Sequence, residues 1–248
     1  MSESHTSEFR WNEKCLVTDY PRTQREFFFQ KYYDFFKQLA ETRAGSAFRG
    51  RQKVLEVGCG RCTIGQYFAA DGNDVTCSDV SAYAMEIAEK NFSRANLRGT
   101  MVKADARELP FADGSFDLTV SVGLLEHLEE RDMRQCLREQ YRVLKHGGML
   151  AFINAPHKFS IQTLFKKHDH YHRERLGPED YARVCREVGF ARTEWFFINP
   201  FPLLETRHEY FWTRVYRVVY RMRSWWLTYP MKSNRVVSQG HFLIAVKA

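Results

Sequence analysis

The chain of 248 residues contains no apolar run long enough to cross a bilayer, no internal repeat and no low-complexity tract. Because a membrane-spanning helix needs about 20 mostly apolar residues, such a helix is not expected, and the lack of a repeat argues against repeat architectures. The opening residues also lack the basic and apolar stretches of a secretory signal. We therefore expect a cytoplasmic protein, with enough length for one large α/β domain or at most two small ones.

Paired metal-binding cysteines are also lacking. Cys59-x-x-Cys62 has the spacing of a zinc or redox motif, but no second pair supplies further ligands. The cysteines are scattered over the chain, which favours reduced thiols over a disulfide framework. We therefore predict no metal site and interpret Cys59 and Cys62 as small residues in a tight turn. The six cysteines are Cys15, Cys59, Cys62, Cys77, Cys136 and Cys185.

Positive charge is concentrated in the last fifth of the chain. The net charge is +7, and residues 201–248 carry eight Lys or Arg against two Glu. Within them, residues 207–227 have the periodicity of an amphipathic helix, with arginines on one arc and apolar side chains on another. We predict a lid or a homodimer contact, and as the alternative a peripheral contact with the inner face of a membrane. The arginines are Arg207, Arg214, Arg217 and Arg221, and the apolar residues are Phe211, Trp212, Val215, Val219, Met222 and Trp226.

Strand and helix patterns alternate from residue 52 onward. This alternation predicts a parallel sheet with helices on both faces and ligands at the carboxyl ends of its strands. An earlier helix, Tyr20 to Thr42, carries aromatic residues at helical spacing and is predicted either to pack on the domain or to form a lid. The predicted strands are 52–57, Val75–Ser78, Thr100–Ala104, Phe116–Val122, Met149–Asn154, Ala191–Ile198 and Gly240–Val246. One predicted helix begins at Thr63, and the others are Ala82–Ala95, Asp132–Leu144 and Pro178–Val188.

The first of these strands leads into a glycine turn. Gly58 and Gly60 carry no Cβ, so the backbone there can lie close to a ligand. Asp79 follows Gly60 by 19 residues, near the end of the next strand. A carboxylate in that place can accept hydrogen bonds from both hydroxyls of a ribose. The combination predicts a ligand that contains a ribose.

Further motifs follow the glycine turn in a characteristic order. Ala104-Asp105-Ala106 comes after the third strand, and the fourth strand opens with Phe116-Asp117 and ends in the segment 121–127. In this order the motifs resemble the class I S-adenosylmethionine-dependent methyltransferases over roughly residues 50–200 and the last strand. The resemblance implies an α/β fold with a doubly wound, mostly parallel seven-stranded sheet, the Rossmann-like methyltransferase fold. It also implies a single domain over 1–248, with an N-terminal helical cap (1–50), a cofactor-binding core (51–200), a helical insertion serving as a lid (201–237) and the last strand (238–248).

The resemblance also implies the cofactor, S-adenosylmethionine, with S-adenosylhomocysteine as the product. Gly58 and Gly60 would admit its methionine part, and Glu56 would hold its amino group directly or through water. The family often has a third glycine where this chain has Cys62. That departure predicts a wider turn or a helix set farther from the strand.

The remaining cofactor contacts are implied in the same way. Asp79 would accept the ribose hydroxyls, and Val80 would cover one face of the adenine. Asp105 and the backbone of Ala106 would read the adenine edge, and Val122 would offer a carbonyl near the ammonium. Carboxylates suit these roles because they accept hydrogen bonds from hydroxyl and amino groups.

Three histidines are candidate general bases. Methyl transfer is an in-line displacement, so the protein must align a nucleophile and, for an oxygen, remove its proton. His127 after the fourth strand and His157 after the fifth lie where an acceptor should bind, and His170 belongs to a histidine cluster. A structural role stays open for each of them. We predict a small-molecule or lipid-like acceptor, with oxygen as the first choice. Related quinone-pathway O-methyltransferases need a metal-binding acid where this chain has Gly123, so the resemblance does not imply metal dependence.

Three other functions compete with this one. A nicotinamide-dependent oxidoreductase needs a third glycine where Thr63 stands. A nucleic-acid methyltransferase of the adenine-amino type would carry an Asn- or Asp-Pro-Pro-aromatic motif after the fourth strand, and the chain has Val122 to Leu125 there. We therefore do not expect nucleic acid as a partner. A non-catalytic methyltransferase-fold subunit is the third alternative, although its ligand motifs would then have no use.

Overall fold

The computed structural model describes residues 30, 32–39, 50–154, 176–198, 238 and 240–248. Within them, seven strands form one sheet and helices lie on both of its faces. The strands are β1 (Lys53–Val57), β2 (Asp74–Asp79), β3 (Thr100–Lys103), β4 (Phe116–Val122), β5 (Leu144–Asn154), β6 (Phe190–Ile198) and β7 (Gly240–Lys247). The helices are α1 (Thr63–Ala70), α2 (Ala82–Arg94), α3 (Glu130–Val143) and α4 (Pro178–Val188), with a 3-10 turn at Leu125–His127.

The sheet has the strand order β3-β2-β1-β4-β5-β7-β6. Strands β1 to β5 run parallel to one another, and β7 lies antiparallel between β5 and β6. The doubly wound, mostly parallel seven-stranded fold expected from the sequence is therefore confirmed. The strand order reverses between β1 and β4, and a sheet of this kind binds its ligands at the carboxyl ends of the strands on either side of that reversal.

Apolar side chains cover both faces of the sheet. On one face, α1, α2 and the helical residues 32–39 pack against β1, β4 and β5. Edge-to-face contacts of Phe35 with Phe242 and of Phe36 with Phe68 hold the early helix there. On the other face, α3 and α4 bury Leu137 and Tyr181. The described part of the predicted helix Tyr20 to Thr42 is thus a packing element.

One element boundary differs from the sequence prediction by several residues. Gly147-Gly148 predicts a turn before a strand at Met149, but β5 begins at Leu144, directly after α3. Leu144 pairs with Phe116, and the register shifts before Met149 pairs with Leu118. Gly147 has φ of 73° in this irregular stretch, a conformation open to glycine at little cost. The glycine pair therefore interrupts the regularity of the strand without ending it.

Among the described residues, no helix is both long enough and apolar enough to cross a bilayer. The predicted helix at 207–227 lies outside the described residues, as do His157 and His170.

Candidate cofactor and acceptor site

Turn 58–62 connects β1 to α1, and one side of it is open. An added Cβ at Gly60 would have no atom within 4 Å, so a ligand can approach the backbone there. At Gly58 the same added atom would lie 2.8 Å from Leu124 Cδ1. Gly60 therefore provides the open approach expected from the sequence, whereas the absent side chain of Gly58 makes room for Leu124.

Asp79, at the end of β2, already holds the turn. Its Oδ2 accepts the Gly60 backbone N–H at 2.9 Å, and its Oδ1 accepts that of Ser81, also at 2.9 Å. A carboxylate has about four acceptor positions, so each oxygen keeps room for one more donor, which matches the two hydroxyls of a ribose. Burial raises the pKa of Asp79, and the backbone N–H groups of Ser81, Gly60 and Val80 partly offset that rise. Val80, next in the chain, is half-buried.

Glu56 lies beneath the turn and is only 3% exposed. Its Oε2 accepts the Gly65 backbone N–H from the first turn of α1 at 2.7 Å. Burial raises the pKa of Glu56 to about 8; the Gly65 N–H opposes this rise, and the charge of Asp79 adds to it. A bound cation nearby would favour the ionised form. Glu56 is thus suited to a ligand that carries an ammonium group.

Asp105, in the loop after β3, is held by an arginine that the sequence analysis missed. Arg107 donates to Asp105 Oδ1 from its backbone N–H at 2.8 Å and to Oδ2 from Nη2 at 2.6 Å. Its Nη1 also donates to Asp132 on α3 at 2.9 Å. Burial would raise the pKa of Asp105, but the hydrogen bonds from Arg107 hold it below its usual value. Arg107 therefore fixes the carboxylate that is predicted to read the adenine edge.

Further polar contacts attach the same loop to α3. Gln135 Nε2 donates to the Arg107 carbonyl at 3.2 Å, and Glu139 Oε2 accepts the Leu109 N–H at 2.8 Å. Arg142 donates to the Leu109 carbonyl at 2.9 Å. Their spacing, with Asp132, places these side chains along one face of the helix. The helical periodicity of polar residues in α3 was the signal that could have predicted this contact.

The acceptor side is formed by the ends of β4 and β5. Val122 ends β4, and His127 ends the 3-10 turn that follows it, where its side chain is half-buried. Glu126 is buried in the same turn. Its Oε2 accepts a hydrogen bond from the Asn154 side-chain N–H at 3.0 Å, in the amide orientation that gives both the nitrogen and the oxygen hydrogen-bond partners. Asn154 ends β5 and pairs with the buried His241 of β7. Glu126, Asn154 and His241 form a buried polar group beside the His127 turn that the sequence analysis did not single out.

Cys62 and Cys77 form a disulfide, which corrects the expectation of reduced thiols for this pair, whereas Cys59, Cys136 and Cys185 are free. The disulfide depends on the parallel pairing of β1 with β2, which scattered sequence positions do not reveal. Cys62 is fully buried and adopts the left-handed backbone, φ 54° and ψ 47°, that glycine would favour at this position. Glu56 and the two sulfurs are close enough to form a metal-ligand set, but bonded sulfurs are not the thiolates that a metal binds.

Together, the reversed strand order, the open glycine turn and the acid at the end of β2 match the arrangement expected of a class I methyltransferase. A family model described as a methyltransferase domain matches residues 54–148. A protein of Encephalitozoon cuniculi named as a methyltransferase is 38% identical over 155 residues, which cover 55% of this chain and 69% of that protein. The chain belongs to the class I S-adenosylmethionine-dependent methyltransferases.

Two other comparisons cover less of the relative's length or share less sequence identity. The rice protein 2-methyl-6-phytyl-1,4-hydroquinone methyltransferase 1 is 30% identical over 156 residues, covering 54% of this chain and 46% of that protein. This chain spans less than half of the length of several such curated relatives. The magnesium protoporphyrin IX methyltransferase of Synechocystis, solved with bound S-adenosylhomocysteine, shares the fold with a TM-score of 0.57 at 14% identity, covering 99% of this chain and 95% of that one.

Proposed function

We propose that this protein transfers a methyl group from S-adenosylmethionine to a hydroxyl of a small or lipid-like acceptor. The observation that supports the proposal most strongly is the pairing of Gly60 with Asp79. The turn has an open face at Gly60, and the carboxylate that anchors it keeps two acceptor positions.

The residues around this pair provide the other contacts of the cofactor. Asp79 accepts the ribose hydroxyls, Glu56 faces the amino group, and Asp105 with the Ala106 backbone reads the adenine edge. Val80 covers one face of the adenine, and the Val122 carbonyl lies near the ammonium. When bound, the cofactor supplies an electrophilic methyl group on a sulfonium sulfur. Two acids near a cationic ligand also favour its binding electrostatically.

The acceptor is placed at the ends of β4 and β5. His127 takes the proton of the acceptor hydroxyl as its oxygen forms the new bond to carbon, and the proton then passes to solvent. The name of the rice relative identifies a phytyl hydroquinone as its acceptor. That name does not specify the methylated atom. A hydroquinone or phenol with an apolar chain is the acceptor class that we propose, with its hydroxyl as the reacting group because His127 can take the proton.

The test is an assay with methyl-labelled cofactor and a panel of hydroquinones and simple phenols, with and without an isoprenoid or alkyl chain. We expect labelled product from a chain-bearing phenol, and proton NMR should show a methoxy group. A new aryl methyl group would move the proposal to carbon methylation. Labelled nucleic acid would favour the nucleic-acid alternative. Cofactor binding without transfer to any fraction of a cell extract would favour a non-catalytic subunit.

A lipid-like acceptor also bears on residues 207–227, whose sequence pattern suits a membrane surface. We propose peripheral contact through the four arginines of this segment, and flotation with liposomes tests it. Binding that requires anionic lipid and is lost when the arginines are changed to glutamine would support the contact. Absence of flotation at low salt would leave the lid or dimer contact.

A further inference from the structure

The disulfide lies within the cofactor site. Cys62 ends turn 58–62 and directly precedes α1, and Cys77 lies on β2, two residues before Asp79. Both cysteines are fully buried. The bond therefore joins the turn that would receive the cofactor to the strand whose end would hold its ribose.

Two hydrogen bonds and the disulfide join turn 58–62 to β2. The Cys59 N–H donates to the Ser78 carbonyl at 3.0 Å, and the Gly60 N–H donates to Asp79 Oδ2 at 2.9 Å. The third link is the covalent bond at Cys62. Hydrogen bonds can open and close without a chemical reaction, so the disulfide is the one of these three links that opens only on reduction.

The space around the sulfurs is full. Cys62 Sγ lies 3.1 Å from Glu56 Oε2. A Cβ added at Gly65 would lie 2.7 Å from Cys62 Sγ and 3.0 Å from Cys77 Sγ. Two thiols cannot approach as closely as two bonded sulfurs, so reduction requires Cys62 or its neighbours to move. Cys62 also has a left-handed backbone that is unfavourable for residues other than glycine, and without the bond less holds it there.

We propose that Cys62 and Cys77 are positioning residues whose disulfide holds turn 58–62 in its cofactor-binding form, so that reduction weakens cofactor binding. The proposal rests on the cofactor site described above. In the reducing step, a dithiol supplies two electrons and two protons, the Cys62–Cys77 bond breaks to give two thiols, and the dithiol becomes a disulfide. A small disulfide oxidant reverses the exchange.

Peptide mapping establishes the redox state. Trypsin should release residues 62–90 as one peptide that contains Cys62 and Cys77 and no other cysteine, whereas Cys59 falls on the peptide 54–61. After treatment with a disulfide oxidant, unfolding and alkylation, we expect peptide 62–90 to carry no alkyl group, and two groups when reduction precedes alkylation. Alkylation of both cysteines in the oxidant-treated protein would overturn the proposal.

Calorimetry with S-adenosylhomocysteine then compares oxidised and reduced protein, each verified by mapping. We expect reduction to weaken binding roughly tenfold, since it releases the strain of one left-handed residue. Cys62→Ala should bind like the reduced protein under either condition. Cys62→Gly should have an affinity for S-adenosylhomocysteine within about threefold of that of the oxidised protein, with or without reductant. The reason is that glycine adopts the left-handed backbone without needing the disulfide.

Cys185→Ala is the matched control, since Cys185 is a buried free cysteine on α4. It should retain the full response to reductant. Equal affinity of oxidised and reduced wild-type protein, or wild-type affinity in Cys62→Ala, would overturn this proposal alone. If the oxidised wild type binds no S-adenosylhomocysteine, the proposed cofactor site falls with it.

Discussion

Replacing Glu56 with glutamine tests whether this buried acid keeps its proton at neutral pH. Burial raises the pKa of Glu56 from 4.5 to about 8 in the folded protein. In the unfolded chain the side chain is hydrated, and its pKa returns to the ordinary value. Between these two values the folded protein therefore binds a proton that the unfolded chain has lost.

The sign of the effect follows from that difference. Stability contributed by the protonated acid is fully present below about pH 4.5 and is lost as the pH rises through about 8. At about 1.4 kcal/mol per pH unit, the loss over the whole window is about 5 kcal/mol, and between pH 6 and 8 it is about 2 kcal/mol. Glutamine cannot ionise, so Glu56→Gln should not show this loss.

Urea denaturation of the cofactor-free protein, followed by tryptophan fluorescence at several pH values between 6 and 9, measures the effect. The free energy of unfolding of wild type should fall relative to that of Glu56→Gln as the pH rises. Glu139→Gln is the control, because hydrogen bonds from Arg142 lower the pKa of Glu139 and its titration lies below this range. Parallel pH profiles for wild type and Glu56→Gln would refute the reasoning.

Four other predictions concern the ligand site. Asp79→Ala should weaken S-adenosylhomocysteine binding at least tenfold in calorimetry, whereas Asp74→Ala, at the exposed start of β2, should not; unchanged affinity in Asp79→Ala would remove the ribose assignment. Arg107→Gln should weaken S-adenosylhomocysteine binding severalfold and reduce the preference for this ligand over its hypoxanthine analogue. An unchanged preference would contradict the role of Arg107 in positioning Asp105. His127→Ala should lower turnover roughly a hundredfold with nearly intact cofactor affinity, and full activity would exclude it as the base. Binding at pH 7 should release a proton in wild type but not in Glu56→Gln, and equal heats in buffers of different ionisation enthalpy would contradict this.

The sequence was sufficient to predict the strands, their order along the chain and the Gly60–Asp79 pair. These features depend on local periodicity and on the rule that parallel strands end at one edge of the sheet. Arg107 was missed because its partner Asp132 lies on a helix that approaches only in the folded protein. No local pattern distinguishes an arginine that binds a neighbouring acid from one that faces solvent.

The Cys62–Cys77 disulfide and the raised pKa of Glu56 were not predicted from the sequence for another reason, which they share. Both depend on the register of β1 against β2 and on how closely α1 covers the strands. Amino-acid composition gives no information on strand register or on helix packing. The cysteine spacing instead favoured reduced thiols, since compartment and scatter were the available criteria. The histidines at 157 and 170 and the predicted helix at 207–227 stay predictions from the sequence.

The position of β7 has a consequence for the order in which the chain can assemble. Among the residues that the structure describes, β6 pairs in the sheet only with β7, which is made after residues 199–239. During synthesis the nucleoside-binding half, β1 to β4, has its strand partners early, while β6 must wait for the arrival of β7. The same strand brings His241 opposite Asn154. The part of the sheet around Asn154, next to Glu126, is thus completed last, after the half that would hold the cofactor has its strands in place.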